Sequence, residues 1–375
     1  MTTNANWIMH PGFYINEELE ARGWSQRDLA FILGCSEQVL NPILTGKRNI
    51  SPDMAKALGE AFDVPAEFFA NLQQAHDLAQ ARTPDRSVAA RRNMQSTYPV
   101  REMIKRGWIQ SSDVVMLETQ LVRFFEVDDP TEIPYMAHAG KKTRYEEENI
   151  PAAQLAWLFR ARQIARSISV PEYSEKRLVA ALADFESLLL EPESTRHVPR
   201  ILAECGVRYV LVEKLTNAGI DGVCFWLDKR SPAIGMSLQH DRIDNFWFVL
   251  RHEVEHVLRE HGQEREMLDL DLDKSQSTGT QEEEQIANEA ATNFCTPSGR
   301  MESFVLRKSP FFYQKDVIAF ARVLKRHPGI VVGQLRRRLG RYDYLTRYLY
   351  QFKIRPFVVP GAMADGWGQT VSVSL

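Results

Sequence analysis

The sequence predicts an α+β protein that is mainly helical, with a small β-sheet late in the chain. Three observations lead there. Apolar residues recur at helical spacing through residues 1–80 and again through 100–195. Three short runs between residues 207 and 238, VRYVLVEKL, GVCFWL and AIGMSL, are rich in Val, Ile and aromatics and are bounded by Gly, Asp and Pro, as strands are. From Asn245 the helical spacing returns, until a tail containing Gly and Pro begins at Pro356.

Taken in order, the first segment reads as five short helices: YINEELEARG, SQRDLAFILG, SEQVLNPILTG, SPDMAKALGEAF and PAEFFANLQQAHDL. Ser25, Ser36 and Ser51 stand where N-caps are needed, and Gly23, Gly34 and Gly46 where helices must stop. Residues 81–99 are polar, hold two prolines and have weak periodicity, so they read as a basic linker. A helical middle region follows at 100–195, exemplified by LAWLFRARQIARSI and KRLVAALADFESLLL. The strands and the first returning helices make a domain at 196–300, and 301–375 is a basic helical C-terminal region with its tail.

Composition narrows the class. A chain of 375 residues with net charge −3, 44% hydrophobic and 25% charged excludes a disordered acidic tail, a collagen-like repeat and a supercharged binder. The longest apolar runs, FWFVL and IVVG, fall far short of the roughly 18 residues that suggest a membrane span. The N-terminus lacks a basic region followed by an apolar core, so a cytoplasmic protein is expected. Cys35, Cys205, Cys224 and Cys295 form no CxxC pair, which predicts buried thiols and neither a disulfide framework nor a cysteine zinc site. Charge is unevenly spread: net −5 over residues 1–78, +5 over 82–106, −8 over 260–289 and +11 over 300–355. The last stretch, with Arg336, Arg337 and Arg338 and with Tyr342, Tyr344, Tyr348 and Tyr350, suits either nucleic-acid contact or neutralisation of the acidic 260–289 segment.

The strongest motif is His252-Glu253-Val254-Glu255-His256 within FWFVLRHEVEHVLREHG. Positions i and i+4 of a helix share a face, so His252 and His256 can offer imidazole nitrogens to one zinc ion while Glu253 stands beside a bound water as proton acceptor. Flanking Phe248, Val249, Val257 and Leu258 suit a buried helix, where such polar groups are costly unless paired or metal-bound. A catalytic zinc site keeps three protein ligands. A further histidine six residues beyond His256 is ruled out, since Gly262 stands there and His261 is one residue out of place. Glu284 supplies the third ligand from a following helix, with Asn288 one turn on to orient a ligand histidine. By spacing alone Glu282 and Glu283 compete with it, and acids at a helix start are also favoured by the dipole. His327, Tyr342 and Tyr344 are the nearest downstream candidates for an oxyanion donor.

These residues carry a family resemblance. GVCFWLDKRSPAIGMSLQHDRIDNFWFVLRHEVEHVL, EQIANEAATNFCTP and HPGIVVGQL, spanning about 200–340, resemble the ImmA/IrrE family of gluzincin-like metallopeptidases, which act on DNA-binding repressors. The family pattern lies over Glu284, Ala287, Asn288, Ala291 and Pro297, and the resemblance implies Glu284 as the ligand. Glu255 stands where the family has a small residue, and Ala290 where it has Phe.

The N-terminal segment carries a second motif. In SQRDLAFILGCSEQVLNPILTGKRNIS, small Ala30 sits where two helices cross and Gly34 sits in the turn; Leu29, Ile32, Leu33, Val39, Ile43 and Leu44 are spaced to share a core. From His10 to about residue 80 it resembles the Xre and HigA antitoxin families. That resemblance places the helix from Ser36 to Thr45 in the major groove, with Gln26, Lys47 and Arg48 on phosphates and Gln38 and Asn41 at base edges. Glu37 and Pro42 stand where HigA-like chains often carry basic residues, so DNA binding competes with a dimerisation or partner-binding role. The expected whole is a cytoplasmic regulator, homodimeric and without a membrane segment. It joins a helix-turn-helix to a zinc endopeptidase that hydrolyses a repressor or a toxin-antitoxin or phage-defence partner. The alternative is an antitoxin-like regulator whose zinc domain binds a toxin or senses a partner without proteolysis.

Overall fold

The computed structural model describes residues 8–110, 113–127, 152–261, 263, 267–270, 276–277, 281–341, 345 and 352–372. The chain divides into two compact units, Met1–Val88 and Ala89–Leu375. The segments that the sequence separates at 195 and 300 thus lie in one unit. No helix among the described residues is long and apolar enough to cross a membrane.

The first unit holds α1 (Pro11–Arg22), α2 (Gln26–Ile32), α3 (Glu37–Leu44), α4 (Pro52–Phe62) and α5 (Ala66–Gln80). Helix α1 starts earlier than the sequence reading has it, because the His10 imidazole Nδ1 accepts the Gly12 N–H at 3.0 Å and caps it. Gly12 also lets α1 meet α3 closely, since a Cβ there would stand 2.2 Å from the Ile43 carbonyl oxygen. Ser25 forms a reciprocal capping box with Asp28 and Ser51 caps Met54, whereas Ser36 makes no side-chain cap. Gly23, Gly34 and Gly46 take positive φ, as helix ends require. The core is Ile15, Leu19, Leu29, Leu40, Leu58, Phe62 and Phe69. Ile32 and Val39, expected inside, are exposed, and Leu40 takes the buried place on α3.

The stretch read as a linker contains the boundary between the two units, and it is largely helical, as α6 (Arg86–Thr97). Asp85 accepts the Ser87 N–H at 3.0 Å, the alanines and arginines that follow favour helix, and Met94 is buried. Helices α7 (Val100–Lys105), α8 (Val114–Phe124), α9 (Ala152–Ser167), α10 (Glu175–Ser187) and α11 (Val198–Cys205) precede the first strand. Then come β1 (Arg208–Val212), β2 (Ile220–Trp226), β3 (Pro232–Met236), α12 (Ile243–Leu258), β4 (Met267–Leu270) and β5 (Gln276–Ser277). Helices α13 (Gln281–Cys295), α14 (Ser298–Lys308), α15 (Gln314–Leu324) and α16 (Pro328–Leu339) and a short turn of helix at Arg355–Val358 lead to a last strand, β6 (Met363–Asp365).

The mixed sheet has order β5-β4-β2-β3-β1-β6. Strand β1 runs parallel to both β3 and β6, and β2 runs antiparallel to β3 and β4. Side chains alternate between two cores, as the pleat requires. Val210, Val212, Val223 and Phe225 join Trp157, Ala161 and Ile164 of α9 on one side. Leu211, Cys224 and Trp226 join Trp247, Val249 and Val254 of α12 on the other. Cys205, Cys224 and Cys295 are buried free thiols, and Cys35 is half-buried.

The C-terminal tail is built into this sheet. Asp365, at the end of β6, accepts from Arg160 of α9 through Nε at 2.7 Å and from the Trp108 indole at 3.1 Å. The Arg160 and Asp365 side chains are 3% and 1% exposed, so neither charge can turn to water when the other is lost. Asp365→Asn should therefore lower the unfolding free energy of this unit by about 3–5 kcal/mol, because the guanidinium is left buried and uncompensated. A denaturant titration showing a loss below about 1 kcal/mol would mean that Arg160 finds another partner.

Candidate metal centre and nucleic-acid interface

Helix α12 is wrapped by the core on nearly all sides, and it presents His252, Glu253 and His256 inside the protein, each at most 1% exposed. Helix α13 lies against α12 and brings Glu284, 7% exposed, to the same place. The two imidazole Nε2 atoms are 2.9 Å apart, and the Glu284 carboxylate lies 3.4 Å from His252 Nε2 and 3.7 Å from His256 Nε2. One donor atom from each of the three lies within 4.8 Å of the others. Two imidazoles and a carboxylate gathered so tightly and buried fit a small divalent cation such as zinc, which takes nitrogen and oxygen ligands at about 2.0–2.2 Å. Of the three acids competing by spacing, Glu282 is exposed and Glu283 is half-buried and faces His261.

Glu253 points its carboxylate at the sheet. Gly222 of β2 makes room, for a Cβ there would stand 2.4 Å from Glu253 Oε1. Nothing in the sequence pattern marked Gly222, whose role depends on a strand and a helix distant in the chain. Glu255 is held away by two arginines, Arg251 at 2.8 Å and Arg259 at 3.0 Å, along one strip of α12. Burial alone would raise its pKa, but the two arginine hydrogen bonds outweigh burial and leave it below the usual carboxylate value.

Asn288 stands one turn beyond Glu284 on α13, and its Oδ1 is buried without a hydrogen-bond partner among the described residues. His261 Nδ1 lies 2.9 Å from His256 Nδ1, and the far side of the His261 ring has the Glu283 carboxylate at 4.0 Å. After α12 ends, Glu260 adopts φ 56°, which turns the chain back and lets the His261 N–H reach the His256 carbonyl at 2.9 Å. A left-handed turn, invisible to periodicity, thus sets His261 behind His256.

His327, a candidate oxyanion donor by sequence, has a structural place in the fold. It is the N-cap of α16, where its Nδ1 accepts the Gly329 N–H at 3.1 Å, as His10 does on α1. Tyr342, Tyr344, Tyr348 and Tyr350 lie outside the described residues. Within the cationic stretch, several charges are engaged in the fold. Arg326 bonds Glu186, Lys308 pairs with Asp316 at 2.8 Å, Arg338 lies 3.5 Å from Glu302, and Arg337 sits 4.2 Å over the Phe248 ring. These described partners are not in the acidic 260–289 segment.

In the first unit, Gln26 begins α2, Gln38 and Asn41 stand three apart on α3, and Lys47 and Arg48 follow it; all five are exposed. Helix α3 continues through Pro42, whose carbonyl accepts the Lys47 N–H at 2.8 Å. Glu37 pairs with Arg27 at 3.0 Å, a partner the sequence reading overlooked although both residues are solvent-exposed.

Comparison with known proteins bears on this unit. Residues 15–69 match the family model described as Helix-turn-helix, so the unit is a helix-turn-helix domain of the Xre-like kind. Virulence-associated protein A' of Dichelobacter nodosus is 38% identical over 72 residues, 19% of this chain. The chain spans 63% of that relative's length. A solved structure, an addiction module antidote protein of a HigA family from Coxiella burnetii, is 30% identical over 24% of this chain and 91% of its own, with TM-score 0.19.

His327 gives a pH prediction. Burial lowers its pKa from 6.5 to about 4, and the cap bond occupies the lone pair that a proton would need. Between those values the unfolded chain binds more protons than the folded one, so this contribution is whole above pH 6.5 and is lost as pH falls toward 4. His327→Asn keeps a capping oxygen without a titrating group. The drop in unfolding free energy between pH 7 and pH 4.5 should shrink by about 2 kcal/mol in that variant. An unaltered pH dependence would show that His327 titrates normally in the fold.

Proposed function

We propose that this chain is a DNA-binding regulator of the helix-turn-helix kind whose second unit is a zinc-dependent endopeptidase of the ImmA/IrrE type, acting on a protein target such as a repressor. The convergence of His252, His256 and Glu284 beside Glu253, all buried, carries the reading. Zinc held by such a set polarises a peptide carbonyl and makes water a nucleophile at neutral pH. The chain's own groups divide the remaining work. Glu253 accepts a proton at a carboxylate oxygen and returns it to the leaving amine, while the lack of a side chain at Gly222 leaves room for that carboxylate. His261 accepts the His256 Nδ1 proton, which directs the Nε2 lone pair of His256 toward His252 and Glu284. Glu283 then favours the His261 tautomer with its proton on Nε2.

In the first unit, Lys47, Arg48 and the α2 N-terminus at Gln26 would contact phosphates, with Gln38 and Asn41 at base edges. Pairing of Glu37 with Arg27 removes part of the repulsion an acid on α3 would bring, though exposed pairs of this kind are worth little. A second reading, a toxin partner or second copy bound without proteolysis, is favoured by one observation. Phe31 is 85% exposed, with Ile32 and Val39 also exposed on α2 and α3, and such apolar groups suit a protein contact.

Two experiments separate these readings. Elemental analysis of the purified chain should find about one zinc per molecule, absent in His252→Ala; His261→Ala should hold it roughly 10–100-fold more weakly in a chelator competition. Zinc content untouched by His252→Ala would remove the site, and equal retention by His261→Ala would remove the role given to His261. Glu253→Gln should keep both zinc and fold yet lose cleavage of the cognate protein. Cleavage at the wild-type rate by that variant would leave the site as a binding module only.

A further inference from the structure

Three parallel strands end together at one edge of the second unit. Strands β1, β3 and β6 deliver Glu213, Ser237 and Gly366 to the same side, and a cavity of about 630 Å³ opens there. Carboxyl ends of parallel strands are where open sheets gather ligands, and this volume falls within the roughly 300–1,000 Å³ of small-molecule sites.

One wall is a built turn. The Gly366 N–H bonds the Gln369 carbonyl at 2.8 Å and the Gln369 N–H bonds Gly366 in return at 2.9 Å. Trp367 sits in it at φ 50°, with its N–H on Glu213 Oε2 at 2.9 Å. Gly366 is required, because a Cβ there would stand 2.2 Å from Glu213 Cβ. The tail is thereby fixed against β1, and the Trp367 indole Nε1 is buried with no hydrogen-bond partner among the described residues.

The lining is cationic once its acids are accounted for. Glu102 pairs with Arg106 at 2.8 Å, and Asp365 is matched by Arg160. Lys105 makes no ion pair among the described residues, and Lys214 reaches only the Gln239 amide oxygen, at 3.2 Å. The Arg355 guanidinium lies 5.4 Å from the Trp367 ring centroid; it pairs with Asp241 at 3.9 Å and donates to the Leu238 carbonyl at 3.0 Å, while its Nε makes no hydrogen bond among the described residues. Among the described residues Lys105 and Lys214 are therefore the lining cations without an acidic partner, beside the Arg355 guanidinium that Asp241 shares, and Glu213 is the lining acid without a matching cation.

We propose that this cavity binds a small phosphorylated molecule. Two ammonium groups and a guanidinium around one space suit a group that carries more than one negative charge, which phosphates do and a single carboxylate does not. The unsatisfied indole and guanidinium N–H groups add donors for its oxygens. The cavity also touches the sheet beside the candidate metal centre. Ser237 bonds the Asp221 carbonyl at 3.0 Å, adjacent to the Gly222 that accommodates Glu253. The proposal does not depend on the metal, however, and its test needs none.

Isothermal titration of the full chain with inorganic pyrophosphate and with ADP decides it. Saturable binding of either at sub-millimolar concentration is expected. A tighter ADP marks a nucleotide site, and a tighter pyrophosphate marks a site for the bare anion. Lys105→Ala combined with Lys214→Ala, both exposed and so compatible with folding, should weaken binding at least tenfold with an unchanged melting temperature. The single variant Trp367→Phe should weaken it severalfold by removing the indole donor alone. Absence of heat from both probes at millimolar concentration would overturn the proposal, as would binding that the lysine pair does not alter.

Discussion

Arg160 and Asp365 form a charge pair sealed within the second unit, and the architecture around it depends on their staying together. Asp365 lies on a strand of three residues, too short to hold its place by ladder bonds alone. The pair ties that strand to α9, and the Trp108 indole ties it to the loop after α7. The end of the chain, the helix covering one sheet face and the helical region before it thus share one carboxylate. A buried pair of this kind is costly to assemble and more costly to break, which makes it a selector of one arrangement more than a source of stability.

Because the sheet is fixed on that side, its other face can act as a platform for α12. Two glycines set the spacing between layers. At Gly235 a Cβ would press to 3.2 Å from Trp157 of α9, and at Gly222 it would collide with Glu253 of α12. The same missing side chain that lets α12 approach β2 gives the Glu253 carboxylate its position. The packing of α12 and the placement of the Glu253 carboxylate therefore make one demand on Gly222, and even alanine would disturb both.

The sequence was legible where the signals are local. Serine and glycine punctuation at Ser25, Ser51, Gly23, Gly34 and Gly46 depends on neighbours within a turn, and the helices end where those residues say. His252, Glu253 and His256 were legible because helix geometry alone puts i and i+4 together. Glu284 needed the packing of α13 on α12 before it could be told from Glu282 and Glu283. Three features escaped for nonlocal reasons. Helix α6 is set by the Asp85 cap and helix-favouring residues without a strong apolar stripe. Strand β6 exists only by pairing with β1, and His261 reaches His256 only through the left-handed turn at Glu260.

The histidines sort by what each ring nitrogen does, and this sorting separates structural from chemical ones. His10 and His327, each followed by Pro and Gly, use the Nδ1 lone pair to accept a backbone N–H at a helix start. Accepting there requires a neutral ring, and burial lowers the pKa of both, with His76 adding to the effect at His10. His256 is placed differently. Its Nδ1 lies 2.9 Å from His261 Nδ1, and its Nε2 faces His252 and Glu284. A His-Pro-Gly tripeptide thus marks a helix cap in both units, whereas His256 is backed by His261 and turns its other ring nitrogen to the buried cluster with His252 and Glu284.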